Sequence, residues 1–201
     1  FHRLNWQLSG RAAQLVQPAH LETLIQLSGL LLEQGTADEV LKLCRRGIAR
    51  HPEDVRASKL YFAQGLVRLR RNQYHQARTD LERALELDPS SAKAWNNLGN
   101  ALLALGETAE ARRALEAAVS ADPTLADAPY NLGSLFLQQG QLDRARRAYL
   151  AAIAADSTFA RTYYALAAVY QAQGAISQAR QTYQTFIERW QGDPDFLRQA
   201  R

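Results

Sequence analysis

The sequence predicts an all-α fold built from tandem helix-turn-helix units, and three observations carry that prediction. The first is a 34-residue period. Ala77, Ala111, Ala145 and Ala179 keep it without a break, as do Leu81, Leu115, Tyr149 and Tyr183, then Ala84, Ala118 and Ala152. The second is the apolar spacing within one period: Trp95, Leu98, Leu102 and Leu105 recur at three- and four-residue steps and share a helix face, and Ala111, Leu115, Ala118 and Val119 do so again. The third is punctuation. Gly106 interrupts the first run, and Asp122-Pro123 closes the second, because proline is poorly accepted inside a helix.

Residues 1–20 place Phe1, Leu4, Leu8 and Leu15 on one face and read as an N-terminal helix, either a degenerate or a truncated repeat. Residues 21–57 form a degenerate first repeat through Leu24, Leu27, Ser28, Leu31, Gly35, Val40, Cys44, Gly47 and Pro52. The step from Pro52 to Pro89 is 37, so three extra residues near Val55–Ala57 are expected to lengthen the front of the next helix. Residues 58–91 carry Tyr61, Gly65, Ala77, Leu81, Ala84 and Pro89, but place Gln64 and Arg68 at two normally apolar positions. The regular units are 92–125, 126–159 and 160–193; small residues such as Gly99 and Ala111 let the paired helices approach closely. Asp193-Pro194-Asp195 then reads as a new helix start, with proline in the first turn and acids complementing the helix dipole.

Taken in order, Ala92–Leu125 supplies Trp95, Leu98, Gly99, Leu102, Ala111, Leu115, Ala118 and Pro123. Ala126–Phe159 supplies Pro129, Leu132, Gly133, Phe136, Ala145, Tyr149 and Ala152, with Ser157 in place of proline. Ala160–Asp193 supplies Tyr163, Leu166, Ala167, Tyr170, Ala179 and Tyr183, with Phe186 where alanine is usual. This series resembles the tetratricopeptide repeat, most specifically over residues 58–193. The resemblance implies a right-handed superhelical solenoid of about five repeats with partial helices at both ends. It also implies that residues 194–201 begin a capping helix, with Phe196 and Leu197 covering the last repeat.

Composition narrows the chemistry. A single Cys among 201 residues excludes a disulfide framework and any multi-thiolate metal site. Cys44 falls on a core position of its repeat and reads as a buried structural thiol. His2, His20, His51 and His75 are scattered, and the phosphate-loop, dinucleotide and Gly-x-Ser-x-Gly motifs are all missing. No catalysis, cofactor, metal or small-molecule substrate is therefore expected. No apolar run reaches the roughly 18 to 20 residues of a membrane span. The absence of Met predicts a piece of a longer protein, so membrane contact is expected only through a segment outside it.

The net charge of +4 raises nucleic acid as a partner. However, Arg78, Arg112, Arg146 and Arg180 keep the 34-residue step, with Glu110, Glu116 and Asp143 interleaved. The row reads as a solvated helix face with i, i+4 pairing, and RNA binding is only a third reading.

The resemblance implies a non-catalytic scaffold or adaptor that binds an extended peptide or helix of another protein in a concave groove, as in assembly of a larger or membrane complex. A recognition or regulatory module attached to an enzyme or signalling protein is the alternative. Groove positions carried over from the family fall on Lys93, Asn96, Asn97, Asn100, Tyr130, Asn131, Ser134, Arg161 and Tyr164. Asn97 and Asn131 suit a peptide backbone, since a carboxamide donates and accepts at once, although Asn is also common in the family there. Tyr130 and Tyr164 serve equally as groove faces or as packing between repeats. The family's clamp for a C-terminal dicarboxylate is matched by Asn100, Asn131 and Arg161, but Asn96 and Ala165 stand where cations are needed.

Overall fold

The computed structural model describes residues 21–190. The helix expected within 1–20 and the capping helix expected from 194 lie outside them. The described residues hold ten α-helices and no strand. They are α1 (Leu21–Glu33), α2 (Ala37–Arg50), α3 (Ser58–Arg70), α4 (Tyr74–Leu87), α5 (Ala92–Ala104), α6 (Thr108–Ala121), α7 (Asp127–Gln138), α8 (Leu142–Ala155), α9 (Ala160–Ala172) and α10 (Ile176–Arg189). None is long and apolar enough to cross a membrane. The chain divides into two compact units, Phe1–Pro89 and Ser90–Arg201.

In the first unit, α1, α2 and α3 enclose a core of Leu21, Val40, Leu41, Cys44, Leu60, Ala63 and Val67. Helix α2 shows how the sequence directs this. Asp38 and Glu39 sit in its first turn and Arg50 in its last, matching the dipole, while Val40, Leu41, Cys44 and Gly47 form the buried stripe. The three extra residues do not extend α3. Val55–Ala57 instead makes a separate 3₁₀ turn, because Asp54 accepts from the Arg56 backbone N–H at 2.9 Å and the Ala57 N–H closes on the Asp54 carbonyl at 2.7 Å.

In the second unit, three helical hairpins follow one another: α5 with α6, α7 with α8, and α9 with α10. A β-carbon on Gly99 would meet Leu115 at 2.7 Å, and one on Gly133 would meet the Tyr149 ring at 2.8 Å. In the first unit, Gly65 faces Leu81 in the same way, at 2.7 Å. These glycines are notches into which the partner helix inserts a large side chain. Neighbouring hairpins also share apolar contacts, since Phe136, Ala145, Ala148, Tyr149, Leu166 and Val169 from α7, α8 and α9 form one cluster.

Each hairpin turns through one left-handed residue: Gly35, Asn72, Gly106, Gly140 and Gly174, with φ of 76°, 57°, 79°, 68° and 74°. At Gly106, its own N–H bonds the Leu103 carbonyl at 3.0 Å and the Glu107 N–H bonds Leu102 at 2.9 Å. Gly140 with Gln141, and Gly174 with Ala175, repeat the pattern. This pair of bonds stops a helix while satisfying its last carbonyls.

Candidate functional site

All nine expected binding residues lie in the second unit: Lys93, Asn96, Asn97 and Asn100 on α5, Tyr130, Asn131 and Ser134 on α7, and Arg161 and Tyr164 on α9. Helix α7 touches both α5 and α9, so the three helices form a row. A side-chain bond spans the first junction, with Asn131 Nδ2 donating to Asn96 Oδ1 at 2.9 Å.

The nine do not share one role. Asn96, expected to face a partner, is 6% exposed. It turns inward because its carboxamide oxygen is taken by Asn131, which satisfies a polar group that burial would otherwise penalise. Ser134 is also committed to the fold: its hydroxyl accepts from the Tyr149 hydroxyl at 3.1 Å and donates to the Tyr130 carbonyl at 3.1 Å. Lys93 and Arg161 are exposed, and Asn97, Asn100, Tyr130 and Asn131 are half-buried. Asn97 Nδ2 donates to the Lys93 carbonyl at 2.7 Å, which fixes the orientation of that amide.

The two tyrosines divide their surface between packing and solvent. The Tyr130 ring lies 5.8 Å from Tyr149 and 5.3 Å from Phe159. Tyr164 meets Tyr183 at 5.5 Å and Phe186 at 5.4 Å, edge-on, yet keeps 40% of its surface exposed. The groove and packing readings of these rings are therefore compatible.

Phe159 is absent from the expected set. It stands immediately before α9, beside Tyr130, and the Arg161 guanidinium lies 5.1 Å from its ring centre. Tyr130, Phe159 and Arg161 thus form a continuous aromatic and cationic strip. The signal for it was an aromatic residue ending the 126–159 unit where the preceding unit ends in Leu125.

Among the described residues, no three His, Cys, Asp or Glu side chains gather as metal ligands. Cys44 is fully buried, and burial pushes its thiol up to about 12, the opposite of an activated nucleophile.

Family models described as tetratricopeptide repeat match residues 62–126 and 163–187, and one described as TPR repeat matches 133–174. Among solved structures, MamA is 24% identical with a TM-score of 0.71, over 81% of this chain and 93% of that one. Pseudomonas aeruginosa pilF is 20% identical with a TM-score of 0.77, over 86% and 78%. YrrB, reported as a TPR protein with an unusual peptide-binding site, is 19% identical with a TM-score of 0.70, over 94% and 96%. No curated protein matches the chain significantly. The fold is an all-α helical-repeat solenoid.

Proposed function

The chain belongs to the tetratricopeptide repeat family, whose members are generally non-catalytic interaction modules, and from that premise we propose that it is a scaffold or adaptor gripping a peptide or helix of a partner protein. The gripping surface is the face shared by α5, α7 and α9. One observation carries the reading. Lys93, Asn97, Asn100, Tyr130, Asn131, Arg161 and Tyr164 reach the surface of three adjacent helices, and Asn97 and Asn131 are each anchored through an N–H. Anchoring by nitrogen leaves each carboxamide oxygen able to accept from a peptide N–H, already oriented, which lowers the ordering cost of binding. The YrrB description is consistent with peptide recognition on this fold.

Peptide bonds are the same in every sequence, so the two amides would supply affinity. The strip of Tyr130, Phe159 and Arg161 would supply preference for apolar or aromatic side chains next to an acid. The test is a pull-down with the full chain, identifying the captured partner by mass spectrometry. Binding is then measured for the Asn97→Ala, Asn131→Ala double variant. A loss of about tenfold or more with an unchanged circular dichroism spectrum is expected, since two hydrogen bonds go. Unchanged affinity in the folded variant would remove this face from consideration.

A further inference from the structure

The first unit carries a second surface, on the far side of α2 from its core. Val40, Leu41, Cys44 and Gly47 are buried, whereas Lys42, Arg45, Arg46 and Arg50 are all exposed. Steps of three, four and eight residues from Lys42 put these cations in one stripe, about 12 Å long at the helical rise.

What separates this stripe from the arginines of α4, α6 and α8 is that, among the described residues, all four of its cations lack an ion-pair partner, whereas each of those helices has arginines that are paired. On α4, Arg78 meets Glu82 at 3.4 Å, and Arg83 pairs with Glu53 and Glu86. On α6, Arg112 meets Glu116 at 3.7 Å and Arg113 meets Glu110 at 2.9 Å. On α8, Arg146 meets Asp143 at 3.5 Å, and Arg144 reaches Glu116 while lying 4.1 Å over the Phe136 ring. Among the described residues, no carboxylate lies within ion-pair distance of Lys42, Arg45, Arg46 or Arg50. Helix α2 has two acids of its own; Asp38 is held by Arg71 at 2.9 Å, which leaves Glu39 against four cations. The helix dipole explains only Arg50, the one cation in the last turn.

We propose that this face of α2 docks an acidic segment of a partner protein, independently of the α5, α7 and α9 face. Three of the four cations are arginines, whose forked donors match carboxylates two bonds at a time. The small side chain between them, Ala49, leaves room for a chain to lie close against the helix. The stripe has no aromatic platform for stacking bases and no large apolar side chain to insert into a bilayer, which sets it apart from nucleic-acid and membrane surfaces.

The test uses the full chain and a short fluorescent peptide bearing glutamates four residues apart, with the glutamine version as its neutral control. Lys42→Gln, Arg45→Gln, Arg46→Gln is compared with Arg112→Gln, Arg113→Gln, Arg146→Gln, which removes the same charge elsewhere. Anisotropy at low ionic strength should show the acidic peptide binding more tightly than the neutral one. That affinity should fall about tenfold or more in the α2 variant, and less than about twofold in the other. Equal losses in the two variants would reduce the effect to net charge, and absence of acidic-peptide binding would end the proposal. So would tighter, α2-dependent binding to single-stranded RNA or to vesicles containing phosphatidylserine.

Discussion

Arg68 on α3 and Asp80 on α4 form an ion pair, Nη1 to Oδ2 at 2.7 Å, inside a helical hairpin. Asp80 is 6% exposed and Arg68 is largely covered. One period later, the corresponding residues are Leu102 and Ala114, both apolar and both buried. Each member of the ion pair makes the other tolerable: the carboxylate gains a charge-assisted partner, and Arg68 also donates to the Gln76 carbonyl at 3.2 Å.

Arg68→Leu should therefore cost about 3 kcal/mol at neutral pH, because it strands a buried acid. Arg68→Leu combined with Asp80→Ala rebuilds the Leu102 and Ala114 arrangement and should recover most of that loss. Urea unfolding of the two variants and the wild type measures it. If the double variant is as unstable as the single one, the pair is not self-contained.

The same pair should give stability a characteristic pH dependence. Burial pushes the Asp80 carboxyl up to about 6, outweighing the opposing pull of Arg68. An unfolded aspartate releases its proton near pH 4, so between about 4 and 6 the folded state binds the extra proton. The contribution is fully present below pH 4 and is lost as pH rises through 6, by an amount on the order of 2 kcal/mol. Subtracting the double variant's pH profile from that of the wild type isolates the effect; a flat difference would refute it.

Two glycine substitutions of opposite sign test the notches. Gly133→Ala puts a methyl 2.8 Å from Tyr149, a ring that is 1% exposed and tied to Ser134, and should cost about 1–3 kcal/mol. Gly29→Ala on α1 meets nothing within 4 Å and should add about 0.5–1 kcal/mol through helix propensity alone. Thermal or urea midpoints moving in the same direction for both would contradict the packing argument.

The turns give a further contrast. Gly140→Ala forces a left-handed φ of 68° on a residue with a β-carbon and should cost about 1 kcal/mol. Asn72→Gly at φ 57° relieves that strain but loses the bond its Oδ1 accepts from the Tyr74 hydroxyl at 2.7 Å. The two effects nearly offset, and the midpoint should stay within a few tenths of a kcal/mol of the wild type.

Cys44 should act as a reporter of local opening. It is fully buried with its thiol pushed up to about 12, so a thiol reagent at pH 8 should leave the native protein unlabelled. Labelling should begin only at urea concentrations that open the core of α1, α2 and α3. Rapid labelling under native conditions would mean that core opens by itself.

The sequence was most legible where information repeats at equal positions. Gly99 and Gly133 as notches, and Gly106, Gly140 and Gly174 as turns, are each visible by laying one unit over the next. What stayed hidden lies between positions. The Asn131 bond to Asn96 spans 35 residues rather than the 34 of the period, so unit-on-unit comparison sets Asn131 beside Asn97 and misses the true partner. Arg68 looked like an isolated departure until its partner twelve residues on became visible across the hairpin. Phe159 sits at a junction between units, where a helix start rather than a helix face fixes its direction.

Gly65, Gly99 and Gly133 each receive the side chain sixteen residues later: Leu81, Leu115 and Tyr149. Both halves of every such fitting belong to a single unit. A stretch of gene encoding one unit can therefore be copied, lost or moved with its lock and key together, and the same notch takes Leu in two units and Tyr in a third. Each 34-residue segment is in that sense a heritable cassette, and the array can grow by repetition before its copies begin to differ.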